Sequence, residues 1–316
     1  MSTVTAPATP DPPHHRSGFA CFVGRPNAGK STLTNVLVGT KVAITSDRPQ
    51  TTRHAVRGIV SRPGAQLVLV DTPGLHRPRT LLGERLNDLV RTTWSQVDVV
   101  AVCFPADQKV GPGDRFLVTE LAKVRKTPRL AVATKSDLAP PERMVQHLAS
   151  IAELGAETGV EWDEIVPVSA TQGHQVDLLA DLLVDRLPEG PPLYPDGEVS
   201  DEPEEQLVAE LVREAALEGV REELPHSIAV VVEEMSLREG RPPDRPLLDV
   251  YANLFVERES QKRIVIGAKG SRLREVGSRA RRQIEALLGT PVYLDLRVKL
   301  AKDWQRDPRQ LRRLGF

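Results

Sequence analysis

Short apolar runs separated by polar loops dominate the first half of this chain. They lie near residues 19–23, 56–60, 65–70, 97–104, 129–134 and 164–168. Runs of this length are typical of buried strands, and apolar residues at helical spacing lie between the later ones. The alternation predicts an α/β fold with a mainly parallel, doubly wound sheet, whose ligands bind at the carboxyl ends of the strands.

The second half follows another pattern, in which helices and strands do not alternate regularly. The predicted order is a helix with one apolar face near residues 205–220, strands over 227–233 and 247–257, a third element over 261–266, two helices within 271–288 and a last strand over 291–298. This order predicts a separate α+β domain. A stretch rich in proline, glycine and acids joins the two halves. We therefore expect a disordered tail at 1–17, a first domain at 18–188, a linker at 189–205 and a second domain at 206–316.

The most specific motif follows the first predicted strand and fits the pattern G-x-x-x-x-G-K-[ST]. Its glycines let successive backbone amides point at phosphate oxygens, and the helix that follows adds the partial positive charge of its N-terminus. We expect Lys30 to contact the β- and γ-phosphates and the Ser31 hydroxyl to ligate Mg²⁺. The predicted phosphate loop consists of Gly24, Arg25, Pro26, Asn27, Ala28, Gly29, Lys30, Ser31 and Thr32.

Two further segments are expected to close on the metal and the γ-phosphate. Thr51 and Thr52 are both available in the polar segment 46–54, and we favour Thr52 as the ligand although spacing does not choose between them. Asp71 ends a buried strand and is the predicted second anchor of Mg²⁺. It opens the motif Asp71-Thr72-Pro73-Gly74, in which the Gly74 amide is expected to contact the γ-phosphate. Residues 75–80 are then expected to form a mobile switch. Lys30, Thr52 and Gly74 are the predicted catalytic residues.

A second group of polar residues at strand ends predicts recognition of guanine. The strand ending near residue 134 leads into Thr134-Lys135-Ser136-Asp137. The Asp137 carboxylate can accept from the ring N–H and the exocyclic amine of guanine, which adenine lacks, and such a pair discriminates strongly. Lys135 is expected to lie along the base. Backbone N–H groups of Ser169, Ala170 and Thr171 are expected to hold the guanine oxygen.

Composition narrows the class of protein. The chain has 316 residues, of which 40% are hydrophobic and 27% charged, as in a globular protein with two cores. No apolar run approaches the roughly 18 residues of a membrane span. The two cysteines, Cys21 and Cys103, fall in predicted strands, so we expect buried packing residues in a reducing cytoplasm rather than a disulfide.

Charge is distributed unevenly within the second half. Residues 190–256 carry 5 basic and 16 acidic side chains, whereas residues 257–316 carry 16 basic and 7 acidic ones. A basic block indicates a polyanionic partner, which RNA or an anionic lipid surface could supply. A solvated charged surface explains such a block equally well, so the motif inside it carries more weight.

That motif is Gly267-Ala268-Lys269-Gly270, which follows the apolar run Ile264-Val265-Ile266 and precedes Arg272 and Arg274. Two glycines three residues apart between short helices let the backbone clamp about four nucleotides of a single strand. With the α-β-β-α-α-β order, this loop resembles that of a type II KH domain. We expect backbone clamping to dominate over base stacking, because only 4% of residues are aromatic.

Together these motifs, in this order and spacing, resemble the Era family of GTPases over about residues 18–316. The segments LPHSIAVVVEEM, VYANLFVERESQKRIVIGAKG and KDWQRDPRQLRRLGF extend the resemblance through the second half. It implies hydrolysis of GTP to GDP, binding of 16S ribosomal RNA near its 3′ end and assembly of the 30S subunit. It also implies a cytoplasmic protein with a fraction held peripherally at the inner membrane, and we expect a monomer.

Three positions refine the resemblance. Leu75 stands where Ras-type GTPases carry the glutamine that orients water, so slow intrinsic turnover is expected. Asn27 stands where potassium-activated relatives place a K⁺ ligand, which makes stimulation by K⁺ a hypothesis. Thr134 departs from the family's asparagine, which bonds guanine N7 and braces the phosphate loop, so weaker binding is expected. The rival hypothesis is an RNA- or membrane-associated factor that nucleotide stabilises, with negligible turnover.

Overall fold

The computed structural model describes residues 15–45, 51–75, 78, 80–124, 127–220 and 224–316, with only the backbone at positions 225 and 226. The predicted segments 46–54 and 75–80 therefore lie partly outside the described residues. Among the described helices, every one is too short or too polar to cross a lipid bilayer.

The first domain contains a six-stranded sheet in the order β2-β3-β1-β4-β5-β6, parallel except for β2. Its strands are β1 (Arg16–Gly24), β2 (Val56–Arg62), β3 (Ala65–Asp71), β4 (Val99–Pro105), β5 (Arg129–Thr134) and β6 (Glu164–Val168). Its helices are α1 (Lys30–Val38), α2 (Leu81–Gln96), α3 (Pro112–Ala122), α4 (Pro141–Thr158) and α5 (Val176–Val184). Separate apolar cores fill the two faces of the sheet. This confirms the predicted doubly wound fold.

Two expectations for this domain are wrong in detail. Arg16 and Ser17 belong to β1, because they pair with β3, so the predicted tail at 1–17 overlaps the first strand. The apolar residues of the piece 41–45 also predict a strand-like conformation before the polar segment 46–54, but the piece contains no strand and instead wraps around Asn35. The Asn35 side chain accepts from the Val42 and Ala43 amides at 3.0 and 2.9 Å, which satisfies these groups without a strand partner.

The linker between the domains lies along the edge of the first sheet. The Ile59 amide of β2 donates to the Val199 carbonyl at 2.9 Å, and the Ser17 amide donates to that of Pro188 at 3.1 Å. The Gln66 side-chain oxygen accepts from the amides of Leu193 and Tyr194. The bond to Ile59 covers a backbone group of the edge strand β2, and the other contacts attach the linker to β1 and β3.

The second domain has a three-stranded sheet, β7-β8-β9, with one antiparallel and one parallel pairing. Its elements are α6 (Glu204–Leu217), α7 (Leu224–Ser227), β7 (Ala229–Leu237), β8 (Leu248–Val256), α8 (Glu259–Ile266), α9 (Ser271–Leu288), β9 (Val292–Leu300) and α10 (Pro308–Arg313). This confirms the predicted KH order. The expectation of two helices within 271–288 is wrong, because α9 is continuous and the break lies before it, at Gly267 and Gly270.

An apolar cluster joins the two domains at one side. Leu82 and Leu86 of α2 pack with Phe255 of β8 and with Trp304 and Leu311 near the end of the chain. All five side chains are nearly inaccessible to water. Burial of this kind contributes roughly 1.5–3 kcal/mol for each large side chain. The domains therefore share a hydrophobic contact in addition to the linker.

Candidate functional site

The phosphate loop joins the end of β1 to the start of α1, at the point where the neighbouring strands β3 and β4 lie on opposite sides of β1. Gly29 has φ +88°, which glycine adopts without strain. A Cβ atom at Gly24 would lie 2.9 Å from the Cys103 carbonyl oxygen, so a side chain there would push the loop off β4. The two glycines thus fix a loop that opens toward the N-terminus of α1, which is an anion-binding position.

Lys30 is buried at the base of this loop. Its Nζ donates to the carbonyl oxygens of Gly24 and Arg25 at 3.2 and 3.0 Å. Burial lowers the pKa of Lys30, while the charge of Asp71 opposes the shift. An ammonium group that is removed from water in this way interacts strongly with any anion that enters the loop.

The three predicted metal ligands converge below the loop. Ser31 Oγ donates to Asp71 Oδ2 at 2.6 Å and lies 3.0 Å from Thr52 Oγ1, which donates to the same carboxylate oxygen at 3.2 Å. Thr52 Oγ1 lies beside Ser31 and Asp71, while the Thr51 backbone carbonyl is bonded to Arg213 of α6. That Thr52 ligates the metal stays a prediction.

This set of oxygens fits a magnesium ion. Asp71 is fully buried, and its Oδ1 has no hydrogen-bond partner among the described residues. Burial raises the pKa of Asp71, against the hydrogen bond from Ser31 and the charge of Lys30, so a cation would relieve an unfavourable buried carboxylate. Hydroxyl and carboxylate oxygens are the ligands that Mg²⁺ takes, alongside water and phosphate.

The segment after Asp71 lies against the phosphate loop. Thr72 Oγ1 donates to the Phe22 carbonyl at 3.1 Å, which ties the segment to β1. A Cβ atom at Gly74 would lie 2.9 Å from the Pro26 nitrogen, so the backbone approaches the loop as closely as glycine permits. Leu75 is 5% exposed and packs in the core with Val90, which leaves no polar side chain at this position.

The predicted base-binding residues meet at the ends of β5 and β6. Ser169 Oγ donates to Asp137 Oδ1 at 2.6 Å, which orients the exposed carboxylate. Lys135 Nζ lies 3.0 Å from Asp107 Oδ2. The Ser169 amide is bonded to the His174 carbonyl at 3.1 Å, so this one of the three expected N–H donors already has a partner. Thr134 Oγ1 donates to the Ala28 carbonyl at 2.7 Å and so braces the phosphate loop.

A cavity of about 330 Å³ extends from the phosphate loop to Lys135, and its walls also include Thr51, Thr52 and Gly74. Asp137 and Ser169 are not part of its lining. Its lining adds Ile44, Thr45 and Gln108, which the sequence analysis did not select. Gln108 follows β4, so the rule that ligands bind at strand ends could have identified it. Ile44 and Thr45 lie in a segment without regular structure and carry no such signal.

Arg25 lies in the phosphate loop but its side chain points away from it. Its Nε donates to Asp114 Oδ1 at 2.7 Å, and its stem lies against Gly113. Asp114 is 3% exposed and also accepts from the Gly111 amide, at 2.9 Å. Arg25 therefore anchors the loop to the start of α3, and only its backbone is available to a phosphate.

The second predicted site, the glycine-rich loop 267–270, is at the surface. Gly267, Lys269 and Gly270 have φ of +72°, +51° and +75°. Lys269 and Arg274 are exposed beside the loop, and Ile264 is 53% exposed next to it. Arg272 is placed differently, because its guanidinium donates to the Glu218 carbonyl at 2.7 Å at the end of α6. Arg272 therefore joins the loop to α6.

Helix α6 also contacts both sides of the segment 46–50 of the first domain. Glu214 accepts from the Thr45 amide at 2.8 Å and pairs with Lys41, while Arg213 donates to the Thr51 carbonyl. Arg53 donates to the Ile228 carbonyl at 2.7 Å, and its guanidinium carbon lies 5.5 Å from the centre of the Trp304 ring. Burial, with a smaller contribution from Arg213, lowers the pKa of Arg53 to about 9, which leaves it charged at neutral pH.

Comparison with known protein families agrees with this geometry. Residues 19–135 match the family described as 50S ribosome-binding GTPase, and residues 223–305 match the KH domain. The chain is 74% identical to GTPase Era of Nocardioides sp., covering 96% of this chain and 97% of the relative. It is 70% identical to GTPase Era of Streptomyces coelicolor, covering 96% of this chain and 95% of that relative.

Solved structures give the same result over both domains. A crystal structure of Era in complex with MgGDPNP and nucleotides 1506–1542 of 16S ribosomal RNA has a TM-score of 0.90 at 38% identity, covering 96% of this chain and 99% of the other. A variant of Aquifex aeolicus Era bound to GDP and AlF4⁻ has a TM-score of 0.89 at 38% identity, covering 95% and 99%. The predicted combination of a GTPase domain and a KH domain is thus confirmed, and the chain belongs to the Era family of GTPases.

Proposed function

We propose that this GTPase is a switch whose nucleotide state sets the affinity of its KH domain for the 3′ region of 16S ribosomal RNA during assembly of the small subunit. The strongest support comes from the hydrogen bonds of α6 to the backbone of Thr45 and Thr51. These two residues lie on either side of the segment that is expected to sense the γ-phosphate. A relative of the same two-domain fold is known in complex with MgGDPNP and nucleotides 1506–1542 of that RNA.

In the proposed reaction Lys30 and the amides of the phosphate loop stabilise the charge of the transferred phosphoryl group. Ser31 and Thr52 would hold Mg²⁺, with Asp71 as its second anchor. The ion neutralises negative charge on the phosphate oxygens when it is bound. Gly74 lies against Pro26 and would offer its backbone to the γ-phosphate. Because Leu75 is buried and apolar, no side chain at that position can orient water, and intrinsic turnover is expected to be slow.

RNA is proposed to bind at the loop 267–270. The positive φ angles of this loop and the open space beside Gly270 leave the backbone accessible to a phosphodiester, as in other GxxG loops. Lys269 and Arg274 would neutralise phosphates, and the exposed Ile264 offers an apolar contact to a base. Arg272 is proposed to act indirectly by holding the loop against α6.

A continuous set of contacts supports coupling between the two sites. Glu214 joins Thr45 to Gln283 of α9, whose side-chain nitrogen donates to Glu214 Oε2 at 2.9 Å. Helix α9 begins at the RNA loop, and Arg272 in its first turn bonds the end of α6. A shift of the segment 45–51 on binding GTP would therefore move α6 and α9 together. A ligand drives such a change only by its differential affinity for the two arrangements.

Three further properties remain proposals. The position of Asn27 in the phosphate loop supports a K⁺ ligand, which equal turnover in Na⁺ and K⁺ buffers would contradict. The basic residues of the last sixty support a peripheral fraction at the inner membrane of a cytoplasmic protein. A monomer is proposed because the KH loop and the nucleotide cavity are each complete within one chain.

The test is to measure binding of a 16S RNA 3′ fragment to the full chain in GDP and in a non-hydrolysable GTP analogue, both with Mg²⁺. We expect the affinities to differ by at least about fivefold, the lower end of allosteric coupling. In the Asp137→Asn variant, RNA affinity should depend on xanthosine nucleotides instead of guanosine nucleotides. The reason is that the asparagine amide can donate a hydrogen bond to the base where the carboxylate can only accept one. Equal RNA affinity in both nucleotide states would refute the switch while leaving GTP hydrolysis and RNA binding in place.

A further inference from the structure

Thr134 is the residue at which this chain departs from the family's base-recognition motif. It ends β5, is 2% exposed, and donates its hydroxyl proton to the Ala28 carbonyl of the phosphate loop at 2.7 Å. A Cβ atom built on Gly29 would lie 3.6 Å from the Thr134 Cβ, so the side chain is also packed against the loop. Thr134 is thus a support of the phosphate loop.

This support occupies the donor capacity of the side chain. A hydroxyl has one proton to donate, whereas the amide of asparagine has two and an acceptor oxygen as well. Ala28 is completely buried, so turning the Thr134 proton toward a base would leave its carbonyl without this bond in a site that water does not reach. The Thr134 hydroxyl can therefore donate either to the phosphate loop or to N7 of a purine, but not to both. The packing of its side chain against the loop favours the bond to the loop.

The Watson–Crick edge of the base has a separate receptor. Asp137 lies beyond the end of β5, and its carboxylate is oriented by the hydroxyl of the buried Ser169 at 2.6 Å. Carboxylate oxygens have several lone pairs, so this bond leaves acceptor capacity for N1–H and N2–H of guanine. Selectivity for guanine over adenine therefore does not require a donor to N7.

We propose that this GTPase does not read N7 of guanine, and that it binds 7-deazaguanine nucleotides as tightly as guanine nucleotides. In these analogues a C–H group replaces N7, so they retain the donors that Asp137 would recognise and lack only the N7 acceptor. The proposal rests on the predicted recognition of guanine by Asp137 at the end of β5.

The experiment compares the dissociation constants of GDP, 7-deaza-GDP and ADP, measured by calorimetry on the full chain with Mg²⁺. For the natural sequence we expect GDP and 7-deaza-GDP to agree within about twofold. In Thr134→Asn, the side-chain amide could brace the loop and donate to N7 at the same time. We therefore expect this variant to bind 7-deaza-GDP about tenfold more weakly than GDP, because the analogue leaves one amide donor without a partner. Thr134→Ser keeps one hydroxyl, and its ratio should stay within twofold.

The outcomes separate this proposal from the assignment of guanine. A fivefold or larger preference of the natural sequence for GDP over 7-deaza-GDP would overturn the proposal, even where GDP is still preferred over ADP. A Thr134→Asn variant that folds, binds GDP and treats the two analogues alike would overturn the explanation through Thr134, since position 134 would then not reach N7. Equal binding of GDP and ADP by the natural sequence would refute the guanine site itself. If Thr134→Asn does not fold, the ratios of the natural sequence and of Thr134→Ser decide the question.

Discussion

The chain contains two glycine-rich loops that precede helices, at residues 24–31 and 267–270, and they differ in almost everything except their glycines. In the first, Lys30 and Asp71 are buried, and three polar side chains meet within 3.2 Å. In the second, Lys269 is exposed and the neighbouring basic residues lie along a surface helix. A phosphate that enters the first loop meets charges removed from water, whereas one that reaches the second meets charges in solvent. The first arrangement suits chemistry on one small ligand, and the second suits reversible contact with a long polyanion.

The largest effect should come from breaking the enclosed loop. Lys30→Ala removes the ammonium group buried beneath the phosphate site and should lower kcat for GTP hydrolysis about 10²- to 10³-fold, as loss of a single transition-state donor does elsewhere. Single-turnover phosphate release measures it. Lys123→Ala, at the exposed end of α3, is the matched control and should leave turnover unchanged. If Lys30→Ala lost stability but kept its turnover, nucleotide would serve structure, as the rival hypothesis holds.

The exposed loop should respond to charge and to salt. Gly270→Asp places a carboxylate where the RNA backbone is expected and should weaken binding of a 16S fragment at least about tenfold by like-charge repulsion. Gly240 offers a close control, because it has φ +74° against +75° at Gly270 and open space around both. Gly240→Asp should leave RNA affinity unchanged. RNA binding that survives Gly270→Asp would place the clamp elsewhere on the domain.

The sequence predicted the first loop well because its chemistry is local. The residues from Gly24 to Ser31 are contiguous, and a strand followed by a helix leaves the loop few conformations. The rule that ligands bind at the carboxyl ends of strands also places Asp71, Thr134 and Asp137 at one edge of the sheet. All six strands of the first domain were expected near their observed positions.

What the sequence did not predict depends on contacts between distant residues. Spacing could not choose between Thr51 and Thr52. The contact of the Thr51 carbonyl with Arg213 and that of the Thr52 hydroxyl with Asp71 both depend on residues far away in the sequence. Arg272 follows the GxxG motif and was expected to contact RNA, but its reach to the Glu218 carbonyl depends on how α6 packs. The helix α10 was also missed, because its six residues are too few for a periodic pattern.

A substitution at the seam between the domains, where α6 contacts Thr45 and Thr51, should have a smaller effect than a substitution in either loop. Glu214→Gln keeps the shape of the side chain but removes its negative charge. That charge pairs with Lys41 and strengthens the hydrogen bond that Glu214 accepts from the Thr45 amide. We expect the ratio of RNA affinities in the GTP-analogue and GDP states to fall by about threefold, within the range of one charge-assisted hydrogen bond. Glu205→Gln, on an exposed position of the same helix, is the control and should preserve the ratio. A ratio unchanged in both variants would exclude Glu214 from the coupling.

The smallest effect is the pH dependence of the free energy of unfolding that His54 contributes. His54 also lies between the domains and stacks on Phe316, with ring centres 4.9 Å apart. Burial lowers the pKa of His54 from its ordinary 6.5, and the nearby charges of Arg213 and Arg53 lower it further while Glu210 opposes them. Below pH 6.5 the unfolded chain therefore binds a proton that the folded chain does not, so the free energy of unfolding should fall as the pH is lowered from 6.5 to 5.

His54→Phe keeps an aromatic ring for the stack and removes this proton. The loss of stability between pH 6.5 and 5 should then shrink by less than about 2 kcal/mol, the limit for one proton over this range, measured by urea unfolding at each pH. It should not vanish, because burial also lowers the pKa of His147 within the first domain. An identical pH dependence in the variant would mean that His54 is protonated equally in both states. The stack on Phe316 would then tolerate a charged imidazole, and the contact between the domains would not weaken through His54 at acidic pH.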